Sequence, residues 1–276
     1  MLLVMDLKIL MVEGPHDGAF ISKVMQVNGY KTYKKPIGSY SPQFVAKYLS
    51  GQYKNAPVDE LNLQSVRQQI IFPSYSLVLE EKEMLLIFQM GGDGRDDKRK
   101  KLVGDIYGFL RSTMTMEELA DSGKITFVYE FDADYDGVDA RLQQVTREIR
   151  QIDFTFPGLT ANASYVESNG IRWGSYIFED GSGKGRLEDI ILPMMEQGND
   201  DVAKYARDFV EKRTSFKLFQ TVKPTSYPQK ARVGVMGQLE KAGSANPAII
   251  EQSSYLTKEK IKESAVCNQM FNFLSA

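Results

Sequence analysis

A chain of 276 residues, 42% of them hydrophobic and 25% charged, can bury a large core as one elaborated domain or two small ones. Its formal charge of −2 creates no global basic field, so any contact with nucleic acid must come from a local patch. A single cysteine, Cys267, excludes an intrachain disulfide and a cysteine-built zinc site, and the single histidine, His16, leaves little room for His-based metal or triad chemistry.

At the start of the chain, Met1-Leu2-Leu3-Val4-Met5 is interrupted by Asp6. It is too short for a signal peptide or membrane span, which makes the cytoplasm the expected location. Lys8-Ile9-Leu10-Met11-Val12 reads as a strand that runs into Glu13-Gly14-Pro15-His16-Asp17-Gly18 and then a helix pattern with Phe20, Val24 and Val27. His16 is expected to be a turn residue. Residues 30–82 read as an insertion, with Tyr30, Tyr33, Tyr40, Tyr48 and Tyr53 scattered among Lys and Pro. These aromatics are expected to build a minor core, stacking on a polynucleotide being the other use of the same residues. A short helix is expected at 42–50, and a hairpin from 68–72 and 75–79 around Pro73-Ser74.

Met84-Leu85-Leu86-Ile87-Phe88-Gln89-Met90 is the second strand, turned by Gly91-Gly92-Asp93-Gly94-Arg95 into a helix carrying Leu102, Ile106 and Phe109. Neither this turn nor Gly181-Ser182-Gly183-Lys184-Gly185 has the Walker spacing, which argues against nucleotide hydrolysis by a P-loop. Lys98, Arg99, Lys100 and Lys101 form the densest basic run. In a parallel sheet their helix starts at the carboxyl edge of the strands, which makes them candidate phosphate contacts; a solvated face is the plainer account.

After a short helix expected at 116–120, Ile125-Thr126-Phe127-Val128-Tyr129 lacks alternation and suits a parallel strand covered on both faces. It leads into Phe131-Asp132-Ala133-Asp134-Tyr135-Asp136-Gly137. An extended backbone would aim Asp132 and Asp134 to one side, where their repulsion makes a cation the economical explanation. If the two strands are parallel neighbours, Glu13 joins them at one sheet edge. Gly137 is expected to begin a helix with Val138, Leu142, Val145 and Ile149. Asp132-x-Asp134-x-Asp136-Gly137 also matches the start of an EF-hand loop, but the twelfth position holds Gln143 instead of Glu and a strand precedes it. Helix capping is the other account of any single one of these acids.

Beyond residue 152, the segments 163–167 and 171–178 bracket Ser168-Asn169-Gly170, a strong hairpin signal. Gly185 to Leu192 opens a helix whose Glu188 and Asp189 either favour its N-terminus or, if the region folds back, add a carboxylate to the site. Gly198 and Asn199 read as a stop and a cap, 230–239 as a helix whose glycines permit close packing, and 258–274 as a terminal helix.

Glu13-Gly14 after the first strand, together with Asp132-x-Asp134, resembles the toprim domain of topoisomerases, primases and the overcoming-lysogenization-defect (OLD) nucleases. Val12-Glu13-Gly14-Pro15-His16-Asp17 is most similar to the OLD-type branch, and the resemblance covers roughly residues 7–152. It implies an α/β fold: a toprim-like parallel sheet flanked by helices over 1–152, with 30–82 inserted, then a hairpin and a mostly helical C-terminal extension over 153–276, packed on the core. It also implies cleavage of a nucleic-acid phosphodiester, DNA or RNA, dependent on Mg2+ or Mn2+. Glu13, Asp132 and Asp134 would be the catalytic, metal-holding acids, with Asp136, Asp17 and Glu188 as further ligands. Lys98, Arg99, Lys100 and Lys101 would hold the nucleic acid. The missing zinc motifs and modest length set the chain apart from primases and type IA topoisomerases. OLD enzymes carry their own ATPase domain and none is visible in this sequence, so a separately encoded ATPase is an expected partner. From another class, the alternative is a metal-bearing module that binds nucleic acid without cutting it.

Overall fold

The computed structural model describes residues 5–54, 72–92, 94–115, 123–212, 215 and 228–276. In the first half the elements are β1 (Asp6–Val12), α1 (Pro15–Val27), β2 (Lys31–Thr32), α2 (Gln43–Lys54), β3 (Tyr75–Leu79), β4 (Glu83–Gln89), α3 (Asp96–Thr113), β5 (Ile125–Asp132) and α4 (Val138–Arg150). The second half adds β6 (Ser164–Ser168), β7 (Ile171–Phe178), α5 (Leu187–Glu196), α6 (Asp200–Lys212), α7 (Pro228–Glu240), α8 (Asn246–Gln252), α9 (Lys258–Glu263) and α10 (Ala265–Leu274).

The strands form one seven-stranded mixed sheet in the order β2-β3-β4-β1-β5-β7-β6. Its four central strands are parallel, and antiparallel β3 and β6 flank them. The unalternating apolar runs of β1 and β5 are buried on both faces, as a helix-covered parallel sheet requires. On one face lie α2, α3 and α4, packed around Phe127 stacked on Trp173 at 5.0 Å. On the other lie α1, α5, α7, α8 and α10 around Phe20 and Phe178. The chain leaves β1 through α1 on one face and β4 through α3 on the other, so the strand order reverses at β1. In sheets of this kind that reversal opens a crevice beyond the carboxyl ends of the strands.

Several local expectations are met. Asn169 and Gly170, at φ 51° and 74°, turn the β6–β7 hairpin, and β7 then lies parallel beside β5 and so continues the main sheet. Tyr40 and Tyr48 are buried in the core beneath α2, α3 and α4, where Tyr33 meets Tyr40 edge-on at 4.8 Å, and Tyr30 is buried in the core on the opposite face. The aromatics of this segment thus pack as expected but join the two main cores instead of forming a minor one. Gly237 of α7 lies so close to Ile249 that a Cβ there would sit 2.1 Å from its side chain.

Two expectations change. Tyr75–Leu79 pairs with β4 on one side and β2 on the other, while residues 68–71 lie outside the described residues, as does the helix expected at 116–120. The terminal helix breaks at Ser264, whose hydroxyl caps α10 by accepting from the Cys267 N–H. Among the described residues no helix is long and apolar enough to cross a membrane.

Between the sheet and its helices Arg99 is 1% exposed, gripped by Glu148 through Nε at 3.0 Å and Nη2 at 2.8 Å and lying over the Phe131 ring. Glu148→Ala would take both of these charge-assisted bonds from a buried guanidinium. We predict a stability loss of about 3–5 kcal/mol in urea unfolding, against less than about 0.5 kcal/mol for Lys101→Ala, whose ion pair is on the surface. Equal, small losses would contradict this assignment.

Candidate metal centre

Two parallel strands bring the acids together. β1 ends at Val12, which places Glu13 at the rim beside the last turn of β5. Along β5, Val128 belongs to the core beneath α1, and the alternation of a strand carries Glu130 and Asp132 onto the same face beyond it. Backbone donors tie the two strand ends together: the Glu13 N–H donates to Glu130 Oε2 at 3.3 Å and the Asp132 N–H to Glu13 Oε1 at 3.4 Å. A fourth acid comes from the first turn of α1, which opens with Pro15 at a position where a missing N–H costs nothing. There Asp17 Oδ2 accepts from the Gly14 N–H at 2.7 Å.

Asp17, Glu130 and Asp132 each offer an oxygen, and these oxygens lie within 4.8 Å of one another. Asp17 and Glu130 are buried and Asp132 partly so. Two unit charges at that distance repel by about 3 kcal/mol at an effective dielectric of about 20. Burial, reinforced by Asp17, Asp132 and Glu13, holds the Glu130 carboxyl well above the usual carboxylate range. Burial together with Asp17 and Glu13 does the same to Asp132. Asp17 is pushed up to about 6, chiefly by burial, with Glu188 adding to the effect and the Gly14 N–H opposing it.

Opposite the strands, α5 points its N-terminus at the cluster, and the Leu187 N–H donates to Asp132 Oδ1 at 2.7 Å. The next residue, Glu188, is buried and lies 3.0 Å from His16 Nδ1 and 3.6 Å from Lys230 Nζ. Burial alone would raise its pKa, but the His16 hydrogen bond and Lys230 outweigh that and hold it below its ordinary value. Glu188 is therefore a carboxylate at neutral pH, and His16 must donate its Nδ1 proton to it.

Of the residues singled out in the sequence, Glu13, Asp17, Asp132 and Glu188 come together here. Asp134 stands apart. It leaves the strand at φ 51°, bridges to Gly185, and gives its carboxylate to Arg141, at 3.0 Å, and to Arg186. The extended backbone needed to aim it alongside Asp132 ends one residue after Asp132. Asp136 is exposed on the following turn, where Gly137, at φ 87°, admits the chain into α4. Asp189 caps its own helix by accepting from the Arg186 N–H at 3.0 Å. The basic run is divided: Lys98 Nζ donates to the Gln89 carbonyl at the end of β4, Arg99 is buried on Glu148, and Lys100 and Lys101 pair along the helix with Asp96 and Asp105.

Sequence reasoning missed Glu130 and the part played by His16. Glu130 had a signal, a carboxylate inside an apolar strand two residues before Asp132. His16 had none, because its partner is 172 residues away.

The donors suit a divalent cation. All are oxygens, the preference of Mg2+ and Mn2+. Glu130 Oε1 is buried with no hydrogen-bond partner among the described residues, and none of the three acids ion-pairs with Lys or Arg there. Beside the cluster and sharing Glu188 lies a cavity of about 490 Å³, whose wall carries Lys184, Arg186 and Lys230 interspersed with Asp134, Asp180 and Asp189.

The model of the family described as a protein of unknown function, DUF3226, matches residues 7–275. No curated protein and no solved structure matches the chain.

Acids whose folded pKa is raised bind more protons folded than unfolded. Their contribution to stability is therefore fully present below the unfolded value of about 4 and is lost as pH rises through the folded value, about 6 for Asp17. A cation would displace those protons. We predict that the rise in melting temperature caused by millimolar Mg2+ or Mn2+ grows between pH 5 and pH 8. Asp132→Asn should remove most of it. A rise that is absent, or equal at both pH values, would count against the centre.

Proposed function

We propose that this chain, which belongs to the DUF3226 family, is a divalent-cation-dependent phosphodiesterase that cleaves nucleic acid. Asp17, Glu130 and Asp132, with Glu13 beside them, would hold Mg2+ or Mn2+. The observation that carries this reading is the convergence of those oxygens within 4.8 Å on a buried, unpartnered Glu130 oxygen at the carboxyl ends of parallel strands. The likeness of Glu13-Gly14 and Asp132-x-Asp134 to the toprim nucleases supports the same chemistry for Glu13 and Asp132, though not for Asp134, and through the OLD-type branch it suggests an effector working with a separate ATPase.

When bound, the cation supplies Lewis-acid polarisation and neutralisation of a phosphoryl group. The protein's own residues do the rest. Glu188 orients His16 through Nδ1, and in the neutral imidazole Nε2 would be the acceptor for the proton of the attacking water. Lys184, Arg186 and Lys230 line the adjoining cavity and would contact phosphate there; they stand among four acids, Asp134, Asp180, Glu188 and Asp189, of which Asp134 pairs with Arg186 and Glu188 lies 3.6 Å from Lys230. The Leu187 N–H and the α5 N-terminus keep Asp132 in place.

A second reading, a metal-bearing module that binds nucleic acid without turnover, is favoured by one observation: Asp134 is bound to Arg141 and Arg186 instead of facing the other acids.

A panel of single-stranded DNA, duplex DNA and RNA, incubated with Mg2+ or Mn2+, separates the two. Cleavage should fall at least about a hundredfold, or about 2.7 kcal/mol, in Glu130→Gln and Asp132→Ala. His16→Ala should lose about a hundredfold. Binding without cleavage would establish the second reading, and neither binding nor cleavage would overturn both.

A further inference from the structure

The cavity beside the acids has one wall that a phosphate backbone alone does not explain. Tyr135 sits on the turn between Asp134 and α4 and lines the cavity, yet it is 76% exposed, the largest exposure of any tyrosine among the exposed large hydrophobic residues described. Single exposed rings are ordinary, and Phe154 is more exposed still; what sets Tyr135 apart is its place on the cavity wall beside Arg186. The Arg186 guanidinium lies 5.3 Å from the Tyr135 ring centroid, and Arg186 is itself anchored on Asp134. An aromatic face beside a cation is the arrangement on which unpaired bases stack. The cavity volume, about 490 Å³, falls in the range of pockets that hold small organic ligands.

We propose that this cavity is a nucleobase subsite, in which Tyr135 stacks an unpaired base next to the phosphate presented to the acids. The inference rests on the phosphodiesterase reading and adds the substrate class: single-stranded nucleic acid, or a frayed end. Internal base pairs of a duplex already stack on both faces and offer none to Tyr135.

The test is binding, measured without metal by fluorescence anisotropy, on a short labelled oligothymidylate, an abasic strand of equal length and a blunt duplex. Tyr135→Ala should weaken oligothymidylate binding by about five- to a hundredfold, the range for one stacked base. Tyr135→Phe should retain it, and the affinities for the abasic strand and the duplex should not change. The exposure of Tyr135 means that melting temperature should stay constant across these variants. Undiminished oligothymidylate binding by Tyr135→Ala, or equal losses on the abasic strand, would overturn the subsite while leaving the phosphodiesterase reading intact. A natural protein that neither binds nor cuts any strand would overturn both.

Discussion

Asp17, Glu130 and Asp132 converge at the carboxyl ends of β1 and β5, and carboxylates that close cannot all ionise without protons or a cation to separate them. Much of the structure acts to hold this arrangement against its own repulsion. Backbone N–H groups of Glu13, Gly14, Asp132 and Leu187 each point at a carboxylate of the group or its neighbour. Two helices, α1 and α5, begin at the site, so the positive ends of both dipoles face it. These donors lessen the repulsion but do not remove it, since Glu130 keeps an oxygen without a partner among the described residues.

The fold follows from the same need. Only parallel neighbours bring the ends of β1 and β5 to one edge, and parallel strands require helices on both faces. The aromatic packing of Phe127 on Trp173 fixes β5 against β7 on one side of the sheet. On the other, α5 packs beneath α7, which carries Lys230 and sets it within reach of Glu188. The residues after 152 thus contribute to the centre directly: they supply the carboxylate that orients His16 and most of the wall of the adjoining cavity.

How much could be read in advance depended on how local each signal was. The apolar runs of β1, β4 and β5, the Asn169-Gly170 turn and the close-packed glycines of α7 were readable because each is a short-range pattern. Glu13, Asp17 and Asp132 were readable because each lies within a few residues of a strand end. Asp134 was misplaced because the spacing argument assumes a strand that has already ended: one left-handed residue turns its carboxylate to two arginines. The basic run looked uniform in sequence, but a helix sends consecutive residues to different faces, so Arg99 enters the core while Lys101 meets solvent. The His16–Glu188 contact depends on folding 172 residues apart and leaves no local trace.

A crystal soaked in Mn2+ would test the central claim most directly, because the anomalous signal of manganese locates the ion without reference to activity. The account predicts an anomalous peak among the carboxylate oxygens of Asp17, Glu130 and Asp132, lost in Glu130→Gln. A map with no peak there at millimolar Mn2+, or with its peak at Asp134 or Asp136 instead, would contradict it.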